Sequence, residues 1–182
     1  MDLVRSLVEL EQTPDLHAAR LLLLLRTFAG PDGAGRIEGL TKLAKLDFLL
    51  RYPVMLECAL QTKRQSIASV QVRPHERNSV ESRMVRYRFG PWDHRYRMLL
   101  NVLVAQGLAS VSVEGRTISI GLTPAGTERA GILAQNEAFA DLTRRAKTIR
   151  THFDLTATHL MQFIYDTFPE LLTLRKNEAI GL

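Results

Sequence analysis

The chain has 182 residues, 46% of them hydrophobic, which is enough for one sizeable core and too little for two enzyme domains. It carries 24 Lys and Arg against 19 Asp and Glu, and a net charge of +5 favours an acidic partner: nucleic acid, a phosphate-rich surface or an acidic protein face. One cysteine, Cys58, excludes an internal disulfide and fits a reducing cytoplasm, while the longest apolar run, Leu21 to Leu25, is far short of the roughly 20 residues that span a membrane.

The first residues do not have the pattern of a signal peptide, because Asp2, Arg5, Glu9 and Glu11 interrupt them. Thr13-Pro14-Asp15 opens the first helix: Thr13 can accept from free amides, Pro14 suits the first helical position, and Asp15 favours the positive helix end. Leu21 to Leu25 make this helix apolar on several sides, which predicts a central place in the core, and Gly30-Pro31 stops it. A second helix starts near Thr41, with Leu43, Leu46, Leu49 and Leu50 at helical spacing. The same pattern assigns Lys42, Lys45 and Asp47 to its solvent side. Pro53 breaks it after Tyr52, and Val54 to Leu60 reads as a further helical piece.

From Thr62 to Arg83 apolar residues thin out and a mobile basic loop is expected. Between 62 and 97 there are nine Lys or Arg against three Asp or Glu, so this stretch carries the excess positive charge of the whole chain. Met84 to Phe89 alternates as a short strand and Gly90-Pro91 closes it. Asp93 then caps a helix running to about Gln106, with Tyr96, Leu99, Leu100 and Leu103 as its buried stripe and Gly107 at its end. Leu108 to Val113 and Arg116 to Leu122 read as a hairpin turning at Glu114-Gly115, and Thr123 caps the next helix. The remainder is helical, with a break near Asn136. A last helix covers about Thr156 to Phe168, and its apolar face is Leu160, Phe163, Ile164 and Phe168. That face either binds a partner or a second copy, or packs on the chain's own first helix.

The run from Leu99 to Leu108, the strands Val111 to Val113 and Ile118 to Leu122, and Leu122-Thr123-Pro124-Ala125-Gly126 resemble the recognition helix and wing of winged helix-turn-helix domains. The fold this implies is mostly α, a winged helix (α+β) with a β-hairpin wing and additional C-terminal helices. Residues 1–135 would hold the winged helix with its N-terminal helices and the basic loop, and 136–182 a helical extension. The resemblance extends to function only loosely, since winged helices bind DNA and dock proteins alike. On the nucleic-acid reading, Arg95, Arg97 and Asn101 lie off the core stripe and Arg116 lies on the wing, with Lys63, Arg64, Arg73 and Arg77 in support.

A narrower resemblance rests on Gly39-Leu40-Thr41-Lys42-Leu43-Ala44-Lys45-Leu46-Asp47-Phe48-Leu49-Leu50-Arg51-Tyr52-Pro53 and on Phe89-Gly90-Pro91-Trp92-Asp93. These segments resemble the small middle component of bacterial ABC-type three-component systems, the set that includes the Lamassu anti-phage systems. Membership would imply a cytoplasmic accessory subunit, partnered by an SMC-like ATPase and an effector, with double-stranded DNA as a further contact and a homodimer possible in principle. The family supplies no catalytic residue to carry over. The alternative from another class is a homodimeric winged-helix transcriptional regulator.

No enzyme motif stands out. Asp32-Gly33-Ala34-Gly35-Arg36 lacks the Gly-Lys-Ser/Thr ending of a phosphate loop, and the five histidines show no metal-ligand pairing. The expectation is a non-catalytic binding protein without cofactor, metal or membrane segment.

Overall fold

The computed structural model describes residues 14–77, 95–169 and 171. Helix α1 (Pro14–Ala29) carries the Leu21–Leu25 run, and all five leucines are buried because other elements surround it. A two-residue strand β1 (Ile37–Glu38) leads into α2 (Leu40–Arg51), and Pro53 starts α3 (Pro53–Thr62). A single helical turn, α4 (Pro74–Arg77), ends the first described segment. Helix α5 (Arg95–Ala105) is followed by the hairpin β2 (Ala109–Glu114) and β3 (Thr117–Leu122), then by α6 (Pro124–Gln135). A 3-10 turn at Glu137–Phe139 breaks the helix beside Asn136, as the sequence predicts, before α7 (Ala140–Phe153) and α8 (Ala157–Thr167).

The fold is mostly helical with one small three-stranded antiparallel sheet in the order β1-β3-β2. Ile37 pairs with Ile120, and β2 pairs with β3 from Ala109↔Leu122 to Glu114↔Thr117 without interruption. Helix α1 sits at the centre, touching α2, α5, α6, α7 and β3. The described part of the C-terminal extension shares that core: Ile149, Phe153, Leu160 and Ile164 are fully buried with Leu21, Leu24 and Leu46.

The expected solvent side of α2 does not exist. Lys42, Lys45 and Asp47 are all buried, because α1, α7 and α8 enclose the helix. Each charge meets a feature that makes burial tolerable. Lys42 pairs with Asp154 at 2.8 Å, Lys45 lies 5.2 Å from the Tyr165 ring centre, and Asp47 takes the guanidinium of Arg20. The segment after α3 also differs from the expected mobile loop where it is described. Arg145 donates to the carbonyls of Val70 and Gln71 and to both oxygens of Glu76, while Arg144 donates to the carbonyl of Ser69. Two arginines on α7 thus satisfy backbone groups that an irregular segment would otherwise leave bare. The predicted strand Met84–Phe89 and the cap Asp93 lie outside the described residues.

Candidate functional site

Helix α5 buries the stripe the sequence predicts: Tyr96, Leu99, Leu100 and Leu103 all face the core. Spacing of 3.6 residues per turn then turns Arg97, Met98, Asn101 and Val102 away from it, and all four are exposed. Gly107, at φ +69°, reverses the chain into the hairpin. The hairpin turns on Gly115 and Arg116, with Gly115 at φ +61°, the first central position that a II′ turn reserves for glycine. Arg116 is exposed at this tip.

Thr123 fixes the hairpin to the helices on either side. Its hydroxyl donates to the carbonyl of Gly107 and accepts from the amide of Gly126 at 3.0 Å, so one side chain joins the end of α5 to the start of α6. Gly126 has a steric reason: a Cβ there would stand 1.8 Å from the Leu108 carbonyl oxygen. These contacts give a physical account of the Leu-Thr-x-x-Gly spacing.

Below the first turn of α5 lies a buried polar cluster. Arg20 Nε and Nη2 donate to Asp47 Oδ1 and Oδ2 at 2.6 and 2.9 Å, and the Tyr96 hydroxyl donates to Oδ2 at 2.5 Å. Desolvation works against the Asp47 carboxylate, but the adjoining guanidinium and phenol outweigh it and hold its pKa below the ordinary value. Burial, reinforced by the neighbouring carboxylate, pushes the Tyr96 phenol well above its usual range. The cluster ties α1, α2 and α5 together directly beneath Arg97 and Met98.

The eight residues predicted for nucleic acid do not form one free cationic face. Arg97, Asn101 and Arg116 are exposed on α5 and the hairpin tip, and the Arg95 side chain lies outside the described residues. Arg64 is exposed beyond α3. The other three are held by the chain itself. Lys63 donates to the carbonyl of His152 and lies over the Phe153 and Phe163 rings, Arg73 pairs with Asp141 at 2.7 Å, and Arg77 pairs with Glu57 at 2.8 Å. The predicted partner-binding quartet is likewise occupied internally. Leu160, Ile164 and Phe168 are buried against α2 and α3, and Phe163 is half-buried with its ring 5.5 Å from Phe153. An apolar stripe at helical spacing has the same sequence signature whether its partner is the chain or another protein. Here the chain's own α2 and α3 cover it, where the sequence left open a partner, a second copy or α1.

Sequence reasoning missed the apolar residues of the exposed unit. Of the eight exposed large hydrophobic residues among those described, six lie on α5 and the hairpin: Met98, Val102, Val104, Val111, Val113 and Ile118. The signal was present, since Met98 and Val102 stand off the core stripe. An open cleft of about 780 Å³ between α1, α2, α4 and α7 is lined by Arg20, Arg73 and Arg145, each already engaged by a carboxylate. No group of three metal-ligating side chains occurs among the described residues, and no described helix is long and apolar enough to cross a membrane. No family model, curated protein or solved structure matches the chain.

Proposed function

We propose that this chain is a non-catalytic binding module of the winged-helix type and acts as an accessory subunit beside an SMC-like ATPase and its effector. On this reading α1, β1, α2, α5 and the β2–β3 hairpin are the winged helix, the β1-β3-β2 order is its sheet, and α7 and α8 are family-specific additions. The carrying observation is the concentration of exposed apolar residues on α5 and the hairpin, bordered by Arg97 and Arg116. An apolar centre with a charged rim is the anatomy of a protein-docking surface.

The test is recovery of the tagged full chain from its host with and without nuclease treatment. Co-recovery of a coiled-coil ATPase in both samples, lost in Met98→Asp and Val102→Asp variants that keep their helical circular dichroism, supports the reading. Recovery of DNA alone would overturn it in favour of the transcriptional regulator.

DNA contact is the second reading, favoured by the exposure of Arg97, Asn101 and Arg116. Arg and Asn are suited to phosphates and base edges. If these groups contact duplex DNA, Arg97→Ala with Arg116→Ala weakens binding and flattens its salt dependence by about two phosphate contacts. Unchanged affinity and slope in that double variant would remove this surface from consideration.

A further inference from the structure

We propose that β2 is a self-association edge, at which two copies of this chain pair antiparallel and join their sheets into one of six strands. The sheet ends at β2 among the described residues. The Gly39 amide donates to the Ile118 carbonyl at 2.7 Å, so Ile118 directs its backbone groups toward β1. Val113, directly opposite Ile118, therefore directs its N–H and C=O away from β3, and by alternation so do Val111 and Ala109. Among the described residues no strand pairs with the outward groups of Val111 and Val113, both exposed, whereas Ala109 is buried at the start of a strand that runs six residues without a bulge. Three of the usual protections of an edge are missing from Ala109-Ser110-Val111-Ser112-Val113-Glu114, which holds no proline, no lysine and no bulge; its one charge, Glu114, stands at the end, and Val113 is 67% exposed.

The occupant is set by the strand's own symmetry and charge. A two-fold axis at Ser112 brings Val111 opposite Val113 of the partner subunit, each with outward-facing backbone groups, so both hydrogen bonds of that pair can form. The same register sets Glu114 opposite Ser110 of the partner subunit. On each copy Ser110 already has a cation beside it. Arg36 crosses the bare backbone of Gly121, where a Cβ would stand 2.1 Å from its Nη1, and that nitrogen donates to Ser110 Oγ at 2.8 Å. The guanidinium is thus delivered across β3 to the rim of β2, on the face that also carries Ser112 and Glu114. Neither Arg36 nor Glu114 has an ion-pair partner among the described residues. Pairing at Ser112 gives each a partner, twice per dimer. A six-residue strand pair is far smaller than a permanent interface, so the association is reversible and concentration-dependent. It does not depend on which partner α5 takes.

Sedimentation velocity on the full chain over a wide concentration range tests the proposal, with hydrogen exchange read at Val111 and Val113. The expected result is a monomer–dimer equilibrium, with both amides protected more strongly as concentration rises. Val113→Pro removes an outward donor while leaving the β2–β3 bonds intact, and it gives a monomer. Arg36→Glu and Glu114→Arg each raise the dimerisation midpoint by about tenfold, because the two-fold repeats the change at both ends of the strand pair. The double variant R36E/E114R returns the midpoint toward the starting value, a rescue that a simple folding defect would not produce. A chain monomeric at every concentration overturns the proposal, and concentration-independent protection of those amides would then show that another part of the same chain covers the edge. A dimer insensitive to Val113→Pro, or charge reversals without rescue, also overturns it.

Discussion

Asp47 has no solvent exposure, and its two carboxylate oxygens take three hydrogen bonds from Arg20 and Tyr96. Removing the carboxylate strands a buried guanidinium, so Asp47→Ala is expected to destabilise by about 3–5 kcal/mol in urea denaturation, whereas Tyr96→Phe removes one hydrogen bond to the charged carboxylate and costs about 1.5–3 kcal/mol. Equal losses in the two variants would mean that the ion pair carries little of the cluster's stability. The folded pKa of Asp47 is depressed, so its contribution is complete above the unfolded value and is lost as pH falls through the folded one, below about pH 4. Lys45 shifts stability with pH in the same direction but in a different window, because its folded pKa is also lowered. Burial beside the Tyr165 ring lowers its pKa to about 8. The unfolded chain therefore binds the extra proton between about pH 8 and 10.5, and stability contributed by this group rises across that window. Tyr96, with its pKa raised, keeps its contribution below about pH 10 and loses it above the unfolded value. Lys45→Met removes the cost of burying the ammonium and is expected to stabilise the protein at pH 7 by on the order of 1–3 kcal/mol. It should also flatten the stability profile between pH 8 and 10; an unchanged profile would show that Lys45 titrates normally.

Helix α7 illustrates how one element can impose order on another. Residues 63 to 77 have few apolar anchors, and the sequence reads them as a loose basic loop. Their order comes from Arg144, Arg145 and Thr148, some 70 residues away in the chain, which bond Ser69, Val70, Gln71 and Glu76. Such a partnership has no local signature, because an arginine on a helix reads as a solvated charge until its acceptors arrive. Arg145→Ala is expected to increase amide exchange selectively in residues 69–77, while protection in α1 and α2 persists. Uniform loss of protection would mean that this segment and the core open as one unit. The contrasting case is the helix–hairpin–helix unit, legible nearly residue for residue. The stripe of α5, the ends of β2 and β3 and the Thr123 cap all follow from local chemistry: spacing, turn-forming glycine and a hydroxyl cap. Helix α2 failed at the same level of reasoning, since a charge within an apolar helix marks solvent only when one side is left open.

At the scale of the whole molecule, the boundary drawn from the sequence at residue 135 separates parts that share one interior. Ile149 and Phe153 of α7 and Leu160 and Ile164 of α8 are fully buried in the cluster built by α1, α2 and α3. The charges agree with that continuity: Lys42 of α2 pairs with Asp154, and Lys63 after α3 donates to the carbonyl of His152. A fragment ending at residue 135 would expose the buried faces of α1 and α2 and leave Lys42 and Lys45 on a bare apolar surface. The full chain is therefore expected to unfold in one transition in urea, with circular dichroism and exchange at α1 and α8 reporting the same midpoint. The fragment 1–135 is expected to show no cooperative transition. A fragment that folds with its own sharp transition would instead make the last helices a separable appendage, and the shared interior a contact between two independently stable units.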